Sequence, residues 1–312
     1  MSIGNIPVID IERLDHSDTL KAIDIACRDW GFFQVVNHGV PADIVDTMSR
    51  EMHAFFAQPQ KAKRAISRTE QNPLGFYDRE LTKNALDLKE IFDFGQGDGD
   101  AIRPQWPKGM PEFRNTVHRY YRHNNRLAHR LLAAISTNLG MSPGFLSRGF
   151  GNGHTSFLRL NYYPVVQSAA PSSDSSQLGV GQHTDSGALT ILLQDNEPGL
   201  EVFHHNEWHL VEPRNDALVV NIGDIVQVWS NDTYFAALHR VIASANRPRF
   251  SIPFFLNPGY ATNYAPVPAM ISATTPARYK TINWGEFRTR RVQGDYADYG
   301  EEVQIEQYRI GA

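Results

Sequence analysis

Residues 183–195 read HTDSGALTILLQD: a histidine and an aspartate two positions apart, followed by a run of β-branched and aliphatic residues. Runs of similar β-type character, separated by turn residues, fill the chain from residue 155 to residue 256. They are SFLRLNYY, ALTILLQ, LEVF, WHLV, ALVVNI, IVQVW, HRVIAS and RFSIPFFL. Many short strands at close spacing predict a β-sandwich or a β-barrel in this part of the chain.

The first 150 residues alternate strand and helix signals. Residues 6–11 (IPVIDI) and 31–36 (GFFQVV) have strand character, and residues 19–30 have helical spacing. Pro111 begins the longest helical pattern, which Gly140 closes. We therefore expect a mainly β protein with flanking helices. A mixed α/β region over residues 1–150 would pack on a β core with C-terminal helices over residues 151–312.

Composition describes an ordinary globular protein of 312 residues, 41% hydrophobic and 21% charged, with a net charge of -4. No basic stripe stands out in the sequence, which argues against a nucleic-acid or membrane-surface partner. No apolar run approaches the roughly 20 residues of a membrane span, and acidic residues interrupt the region where a secretory leader would lie. The single cysteine, Cys27, excludes an intrachain disulfide. We expect a cytoplasmic protein, monomeric or weakly homo-oligomeric.

Three side chains form a candidate metal site. Residues i and i+2 of a strand point to the same face, so His183 and Asp185 can reach one point in space. His239, which begins the strand-like run HRVIAS, is the candidate third ligand. Two histidines and one carboxylate on one face of a metal leave positions open, an arrangement suited to Fe(II) and O2. Zinc prefers a closed tetrahedral set. Alone, this pattern is a weak signal, because chance and surface histidines also produce it.

The surrounding segments are more specific. They are HTDSGALTILLQD (183–195), NIGDIVQVWSNDTYFAALHR (221–240) and RFS (249–251), together with IPVID, WGFFQVVNHGVP, LKEIFDFG, LRLNYYP and GLEV elsewhere in the chain. In this order they resemble the isopenicillin N synthase-like family of Fe(II)- and 2-oxoglutarate-dependent dioxygenases over nearly the whole chain. The resemblance implies a double-stranded β-helix (jelly-roll) core carrying Fe(II) on the three candidate ligands. It also implies an oxidoreductase that oxidises, by hydroxylation, a small organic substrate with O2 and converts 2-oxoglutarate to succinate and CO2.

The cosubstrate prediction depends on Arg249 and Ser251, which share one face of a predicted strand. An arginine that points into a barrel needs an anion, because its desolvation is otherwise costly. The guanidinium fork binds a carboxylate through two hydrogen bonds. In the family, this pair resembles the site for the far carboxylate of 2-oxoglutarate, and Asn161 and Tyr163 resemble further cosubstrate contacts. The same RxS pattern occurs in relatives that bind no 2-oxoglutarate, so it does not settle the cosubstrate alone.

Arg159 is the sharpest clue to the substrate. It has the strand parity of Asn161 and Tyr163, which directs it towards the site. An inward arginine predicts an anionic or strongly polar substrate group, and pairing with a local carboxylate at the strand edge is an equally good interpretation. Phe255, with the parity of Arg249, and Phe94, from an earlier strand, are weaker candidates for the pocket wall. For Phe255 a plain core role is the alternative.

Other functions stay open at this point. An oxidase that takes all its electrons from the substrate would consume O2 without forming succinate. A sensor would bind metal and 2-oxoglutarate without turnover, and a zinc-dependent hydrolase is a more distant alternative. His204 and His205 do not predict a second metal site, because adjacent side chains of a strand diverge and residues 204–207 (HHNE) look like a solvated hairpin tip.

Overall fold

A computed structural model describes residues 6–69, 71–82, 85–97, 102–151, 153–166, 178–293 and 303–311. The helices are α1 (Ser17–Asp29), α2 (Ala42–Phe56), α3 (Gln60–Arg64), α4 (Pro111–Asn138), α5 (Asp224–Trp229) and α6 (Trp284–Gln293). The first eight strands are β1 (Val8–Asp10), β2 (Phe32–Val36), β3 (Gly75–Tyr77), β4 (Leu81–Thr82), β5 (Ala85–Leu86), β6 (Glu90–Gly95), β7 (Phe157–Tyr163) and β8 (Leu178–His183). The others are β9 (Leu189–Gln194), β10 (Leu200–His204), β11 (Glu207–Leu210), β12 (Leu218–Ile222), β13 (His239–Ile242), β14 (Arg249–Leu256), β15 (Asn263–Tyr264) and β16 (Ile282–Asn283).

Two sheets form the jelly-roll core. The larger has eight strands in the order β1-β2-β12-β9-β14-β7-β6-β3, and the smaller has four in the order β11-β10-β13-β8. The predicted mainly β fold with a jelly-roll core is confirmed. Strands from both sides of residue 150 are hydrogen-bonded within the larger sheet. The proposed division at residue 150 is therefore not marked by a break in this sheet.

Strand parity separates two hydrophobic clusters. Along β9, Leu189, Ile191 and Leu193 belong to the cluster that also contains the buried faces of α1, α2 and α4. Leu192 instead joins a smaller cluster made of residues from both sheets. The same alternation on β7, β12 and β14 directs every second side chain into the space between the sheets. Polar side chains of the candidate site occupy positions in this inner set.

The end of α1 shows how local sequence turns the chain into the sheet. Trp30 donates its N–H to the carbonyl of Ala26, and Gly31 follows with a φ of 63°. A Cβ at Gly31 would lie 2.1 Å from the carbonyl oxygen of Phe235. Glycine therefore permits both the left-handed conformation and the close backbone contact that start β2.

Two sequence predictions about local structure were wrong. The run IVQVW, read as a strand, lies within the helix α5, every residue of which is buried. A short apolar run without a polar face does not distinguish a buried strand from a buried helix. In addition, β8 ends at His183, so Asp185 lies just beyond the strand. Strand parity alone therefore does not place both residues at one point.

The outer face of α4 is basic, a feature that was not expected from the sequence. The exposed arginines on this helix are Arg114, Arg119, Arg122, Arg126 and Arg130. They are spread among apolar residues in the sequence, and only the helical repeat brings them to one side. The prediction that there is no nucleic-acid partner stays a prediction. No helix among the described residues is long and apolar enough to cross a membrane.

Candidate metal centre and substrate cavity

The side chains of His183, Asp185 and His239 converge on one point. The two histidines are direct partners in the β8–β13 ladder. Nε2 of His183 and Nε2 of His239 each lie 3.7 Å from Oδ1 of Asp185. This separation is longer than a hydrogen bond. It is slightly longer than the roughly 3 to 3.5 Å between two ligand atoms that each lie about 2.1 Å from one metal, so a small inward movement lets the three side chains share an ion.

Backbone carbonyls hold both imidazoles in the orientation that a metal requires. Nδ1 of His183 lies 2.7 Å from the carbonyl oxygen of Gly181, and Nδ1 of His239 lies 3.0 Å from that of Ala237. A carbonyl can only accept, so each Nδ1 carries the proton and donates it. The lone pair is then on Nε2, the atom that faces Asp185.

The NIGD segment (221–224) and β9 together position Asp185. Its Oδ2 accepts hydrogen bonds from Oγ1 of Thr190 at 2.5 Å and from Nδ2 of Asn221 at 2.7 Å. The backbone N–H of Asp224 donates to the Asp185 carbonyl at 2.7 Å. A Cβ at Gly223 would lie 2.6 Å from that same carbonyl oxygen, so glycine permits this close approach. With Oδ2 engaged, Oδ1 faces the histidines.

The surroundings of His183 and Asp185 favour the protonation states that bind a cation. Burial, followed by the neighbouring imidazole of His239, lowers the pKa of His183, so its imidazole is neutral at pH 7. Burial opposes ionisation of Asp185, but the facing histidines and the hydrogen bonds from Asn221 and Thr190 outweigh it and hold the pKa of Asp185 below its usual value. Neutral imidazoles and an ionised carboxylate are the forms that bind metal.

Arg249 is buried, with 1% of its surface exposed. Its Nη2 donates to Oε1 of Gln194 at 3.0 Å, and its guanidinium lies 5.2 Å from the ring centre of Tyr163. Among the described residues, Nε and Nη1 have no hydrogen-bond partner and no carboxylate forms an ion pair with this side chain. A desolvated guanidinium without an anion is costly. Arg249 therefore fits the carboxylate of a bound ligand.

The other predicted cosubstrate residues lie around Arg249. Ser251 and Asn161 are direct partners in the β7–β14 ladder, as are Arg249 and Tyr163. Nδ2 of Asn161 donates to Oγ of Ser251 at 3.2 Å, while Oδ1 of Asn161 is buried without a partner among the described residues. A bound polar ligand would satisfy such an atom.

Two adjoining cavities share His183 and Asp185 in their linings, and His239 lines the inner one. The inner cavity, of about 90 Å³, is lined by Arg249, Ser251, Tyr163 and Asn161. The outer cavity, of about 430 Å³, is within the usual range for a small-molecule site. Residues shared by both linings are Lys89, Arg159, Val180, His183, Asp185 and Phe255. A group in the outer cavity therefore has access to the same point as a group in the inner cavity.

Arg159 lines both cavities, and it is also paired with carboxylates. The structure is therefore consistent both with contact to a substrate and with pairing to local carboxylates. Its Nε and Nη2 donate to the two oxygens of Asp93 at 2.7 and 2.8 Å, and its Nη1 donates to Oε2 of Glu80 at 2.8 Å. Arg68 bridges the same two carboxylates. Among the described residues, the buried ion cluster consists of Arg68, Lys89, Arg159, Glu80, Asp87 and Asp93, and the formal charges of these six side chains balance.

Phe255 lines the outer cavity, and its ring stacks on Phe157 with centroids 4.6 Å apart; its contact with substrate stays a prediction. The guanidinium of Arg288, on α6, lies 5.1 Å from the centre of the Phe157 ring. The pocket prediction for Phe94 was wrong. Phe94 pairs with Leu158 on the helix-facing side of β6 and contacts Tyr121 of α4 at 5.3 Å, whereas its neighbour Asp93 faces the cavity.

Several residues that help to form the site were not predicted as site residues from the sequence. Thr190 and Asn221 are direct partners in the β9–β12 ladder and bind the same carboxylate oxygen. Both have inward strand parity, and a polar residue at an inward position was the available signal. Arg288 and the acidic members of the ion cluster come from separate segments, and no sequence spacing connects them.

The expectation that His204 and His205 diverge was also wrong. Their ring centroids lie 3.9 Å apart, and both side chains face Asp29 at the end of α1. Asp29, His204 and His205 form a second group of possible metal ligands, apart from the first.

A jelly roll in which two histidines and one carboxylate converge beside a buried arginine is the arrangement of the mononuclear non-haem iron oxygenases. Residues 154–258 match the 2OG-Fe(II) oxygenase superfamily, and residues 6–112 match the N-terminal region described as non-haem dioxygenase in morphine synthesis. Jasmonate-induced oxygenase 1 of Arabidopsis thaliana is 34% identical over 307 residues, covering 93% of this chain and 73% of the relative. The chain belongs to the 2OG-Fe(II) oxygenase family.

Other known proteins agree with this assignment. Oxoglutarate-dependent flavonoid 7-O-demethylase 1 of Ocimum basilicum is 33% identical, covering 91% of this chain and 77% of that protein. The crystal structure of JOX2 in complex with 2OG, Fe and JA has a TM-score of 0.85 and 31% identity over 98% of this chain and 90% of that one. The crystal structure of the dioxygenase for auxin oxidation in rice has a TM-score of 0.78 and 27% identity, covering 98% and 100%. The protein is thus an Fe(II)- and 2-oxoglutarate-dependent dioxygenase that oxidises a small organic substrate with O2, as predicted.

Proposed function

We propose that this dioxygenase oxidises a small organic anion in the outer cavity. The residues that would hold Fe(II) are His183, Asp185 and His239, and those that would hold 2-oxoglutarate are Arg249, Ser251, Asn161 and Tyr163. The single observation that carries the cosubstrate assignment is the buried guanidinium of Arg249, whose Nε and Nη1 lack partners within the part of the chain that the structure describes. It lines the cavity that also reaches the three candidate ligands.

Each protein group has a defined task in this proposal. Bound Fe(II) and 2-oxoglutarate supply the activation of O2, and the protein binds, orients and shields the reactants. The Nδ1 donors of His183 and His239 keep both Nε2 atoms available. Arg249 and Ser251 bind the far carboxylate of the cosubstrate. The apolar inner wall, which includes Val180, Leu192 and Leu200, excludes water from this side.

Charge and shape of the outer cavity support an anionic substrate. The cationic residues of its described lining are Arg68, Lys89, Arg159, Arg288 and Arg291, and the carboxylates are Glu80, Asp93 and Asp185. Of these carboxylates, Asp185 would be neutralised by the metal. The described lining thus contains five cationic and three acidic side chains, a predominantly basic composition that supports an anionic substrate. The stacked rings of Phe157 and Phe255 provide a flat apolar surface beside Arg288. This combination suits a carboxylate on an apolar or aromatic body.

The experiment compares small carboxylic acids with their own methyl esters under Fe(II), 2-oxoglutarate and O2. Succinate formation and an oxidised product are both followed by mass spectrometry. We expect some acids to yield product coupled to succinate, and their esters to react far less. If esters react as well as acids, the anionic preference is wrong. Product and O2 consumption without succinate would instead favour the 2-oxoglutarate-independent oxidase.

A monomeric or weakly homo-oligomeric state and a cytoplasmic location both stay predictions. Size-exclusion chromatography with light scattering would determine the first of them directly.

A further inference from the structure

Asp29, His204 and His205 lie at a junction between α1 and the β10–β11 hairpin. Asp29 is the last residue of α1 and His204 the last of β10. Nε2 of His204 and Nε2 of His205 each lie 3.7 Å from Oδ1 of Asp29. These are the same two separations that relate the histidines of the first cluster to Asp185. Neither is short enough for a hydrogen bond, and a small inward movement lets the three side chains share an ion.

The hairpin turn explains why adjacent histidines converge. His204 pairs with Glu207, which leaves His205 and Asn206 as a two-residue loop. Both loop residues have positive φ, 48° and 66°, as in a type I′ turn. Because the chain leaves the extended conformation after His204, the side chain of His205 no longer points to the opposite face. The two rings come within 3.9 Å of each other.

His204 is fixed in place before any ion binds. Its ring stacks on Trp30 with centroids 3.9 Å apart and 25° between the planes, and its side chain is only 13% exposed. This stacking holds the imidazole in one orientation. Pre-orientation reduces the entropy that binding would cost.

We propose that Asp29, His204 and His205 bind one divalent transition-metal ion of the zinc type at the protein surface. Two imidazoles and a carboxylate suit Zn²⁺, Ni²⁺ or Cu²⁺. The side chains of Asp29 and His205 are 52% and 75% exposed, so water fills the remaining coordination positions and the ion exchanges freely. A bound ion would connect α1 to the hairpin of the smaller sheet, two segments that are far apart in the chain.

The test is calorimetric titration with Zn²⁺ in an Asp185→Ala background, which weakens the competing first cluster. His205→Asn is the main variant, because asparagine tolerates the positive φ at this position. Asp29→Asn is the second variant and changes a half-exposed side chain. His16→Asn is the matched control, because His16 lies at the start of α1 and asparagine is a good helix N-cap.

We expect the background protein and the His16→Asn control to bind Zn²⁺ equally. His205→Asn and Asp29→Asn should each weaken this binding roughly tenfold or more, since losing a ligand costs at least as much as losing its supporting partner. In a chain that keeps Asp185, the single substitution His205→Asn should lower the number of bound Zn²⁺ ions by one. The proposal would be overturned if His205→Asn and Asp29→Asn bound Zn²⁺ as tightly as the control. It would also be overturned if the background protein bound no Zn²⁺.

Discussion

Asn221 donates a hydrogen bond from its side-chain amide to Oδ2 of Asp185 at 2.7 Å, and this contact decides which carboxylate oxygen faces the histidines. Thr190 donates to the same oxygen. The opposite oxygen, Oδ1, is then the one equidistant from Nε2 of His183 and Nε2 of His239. The orientation of the proposed metal ligand is therefore set by a neighbouring strand.

Replacing Asn221 by Ala should weaken metal binding without removing a ligand. The carboxylate of Asp185 would lose one of two Oδ2 hydrogen bonds and gain rotational freedom. Loss of such a supporting partner typically costs roughly 10- to 100-fold in metal affinity. Titration of the metal-free protein with Mn(II), a redox-stable substitute for Fe(II), measures the effect. Asn215→Ala, an exposed position in the loop before β12, is the control and should bind Mn(II) normally. Equal affinity of the two variants would contradict the proposed role of Asn221.

Replacing Arg249 by Gln should abolish tight binding of 2-oxoglutarate. Truncating one member of a buried charge pair costs about 2–5 kcal/mol, which is roughly 30-fold to several thousand-fold in affinity. Arg249→Lys should retain only part of the 2-oxoglutarate affinity, because an ammonium group does not form the two parallel hydrogen bonds of a guanidinium. Calorimetry of 2-oxoglutarate binding to the Mn(II)-loaded protein is the measurement. The control Arg247→Gln, at an exposed position, should leave the affinity unchanged. An unaltered affinity in Arg249→Gln would place the cosubstrate elsewhere.

Strand parity explains why the site residues chosen from the sequence lie on one cavity wall. Arg159, Asn161 and Tyr163 line the cavities together, as do Arg249, Ser251 and Phe255, because alternate residues of one strand share a face. The prediction that Phe94 lines the pocket was wrong because Asp93 is the inward residue of that strand. An isolated strand pattern does not show which face is inward. The prediction of a strand at the apolar run in α5 was wrong because complete burial removes the periodicity that distinguishes a helix from a strand.

Other features depend on contacts between distant segments. The convergence of His183 and Asp185 needs the turn after β8 and the backbone bond from Asp224, neither of which follows from i, i+2 spacing. The ion cluster joins residues near positions 68, 80 and 159, and its charge balance is visible only once they are together. Likewise, only the positive φ of His205 brings it beside His204.

Replacing Arg159 by Met should destabilise the fold. Asp93 and Glu80 would each lose a buried cationic partner, and breaking a buried pair in this way costs about 3–5 kcal/mol. Urea unfolding of the metal-free protein measures the loss. Adding Asp93→Asn to Arg159→Met should restore part of the stability, because it removes one uncompensated charge. A double variant no more stable than Arg159→Met would argue against the cluster as a balanced unit.

Acidification should destabilise the metal-free protein through His183. Its pKa is lowered to about 3 in the folded state by burial and by His239, whereas the unfolded chain has the ordinary value near 6.5. Between these values the unfolded state binds more protons, so the free energy of unfolding falls as pH falls below about 6.5. The contribution is up to about 2 kcal/mol between pH 6.5 and 5, since one proton is worth about 1.4 kcal/mol per pH unit.

The pH effect is measured by comparing the unaltered chain with His183→Gln at pH 7.5 and pH 5. Glutamine does not titrate, so His183→Gln should lose less unfolding free energy on acidification. Parallel losses in both proteins would show that His183 does not titrate differently on unfolding.

The most direct test of the proposed centre is anaerobic titration of the Fe(II)-loaded protein with 2-oxoglutarate, followed by visible absorption. A 2-oxo acid chelated to Fe(II) produces a metal-to-ligand charge-transfer band. We expect this band to saturate at one equivalent in the unaltered chain and in Asp216→Ala, an exposed control. It should be absent, or need far more Fe(II), in Asp185→Ala. A band of undiminished intensity and affinity in Asp185→Ala would contradict the assignment of His183, Asp185 and His239 as the iron site.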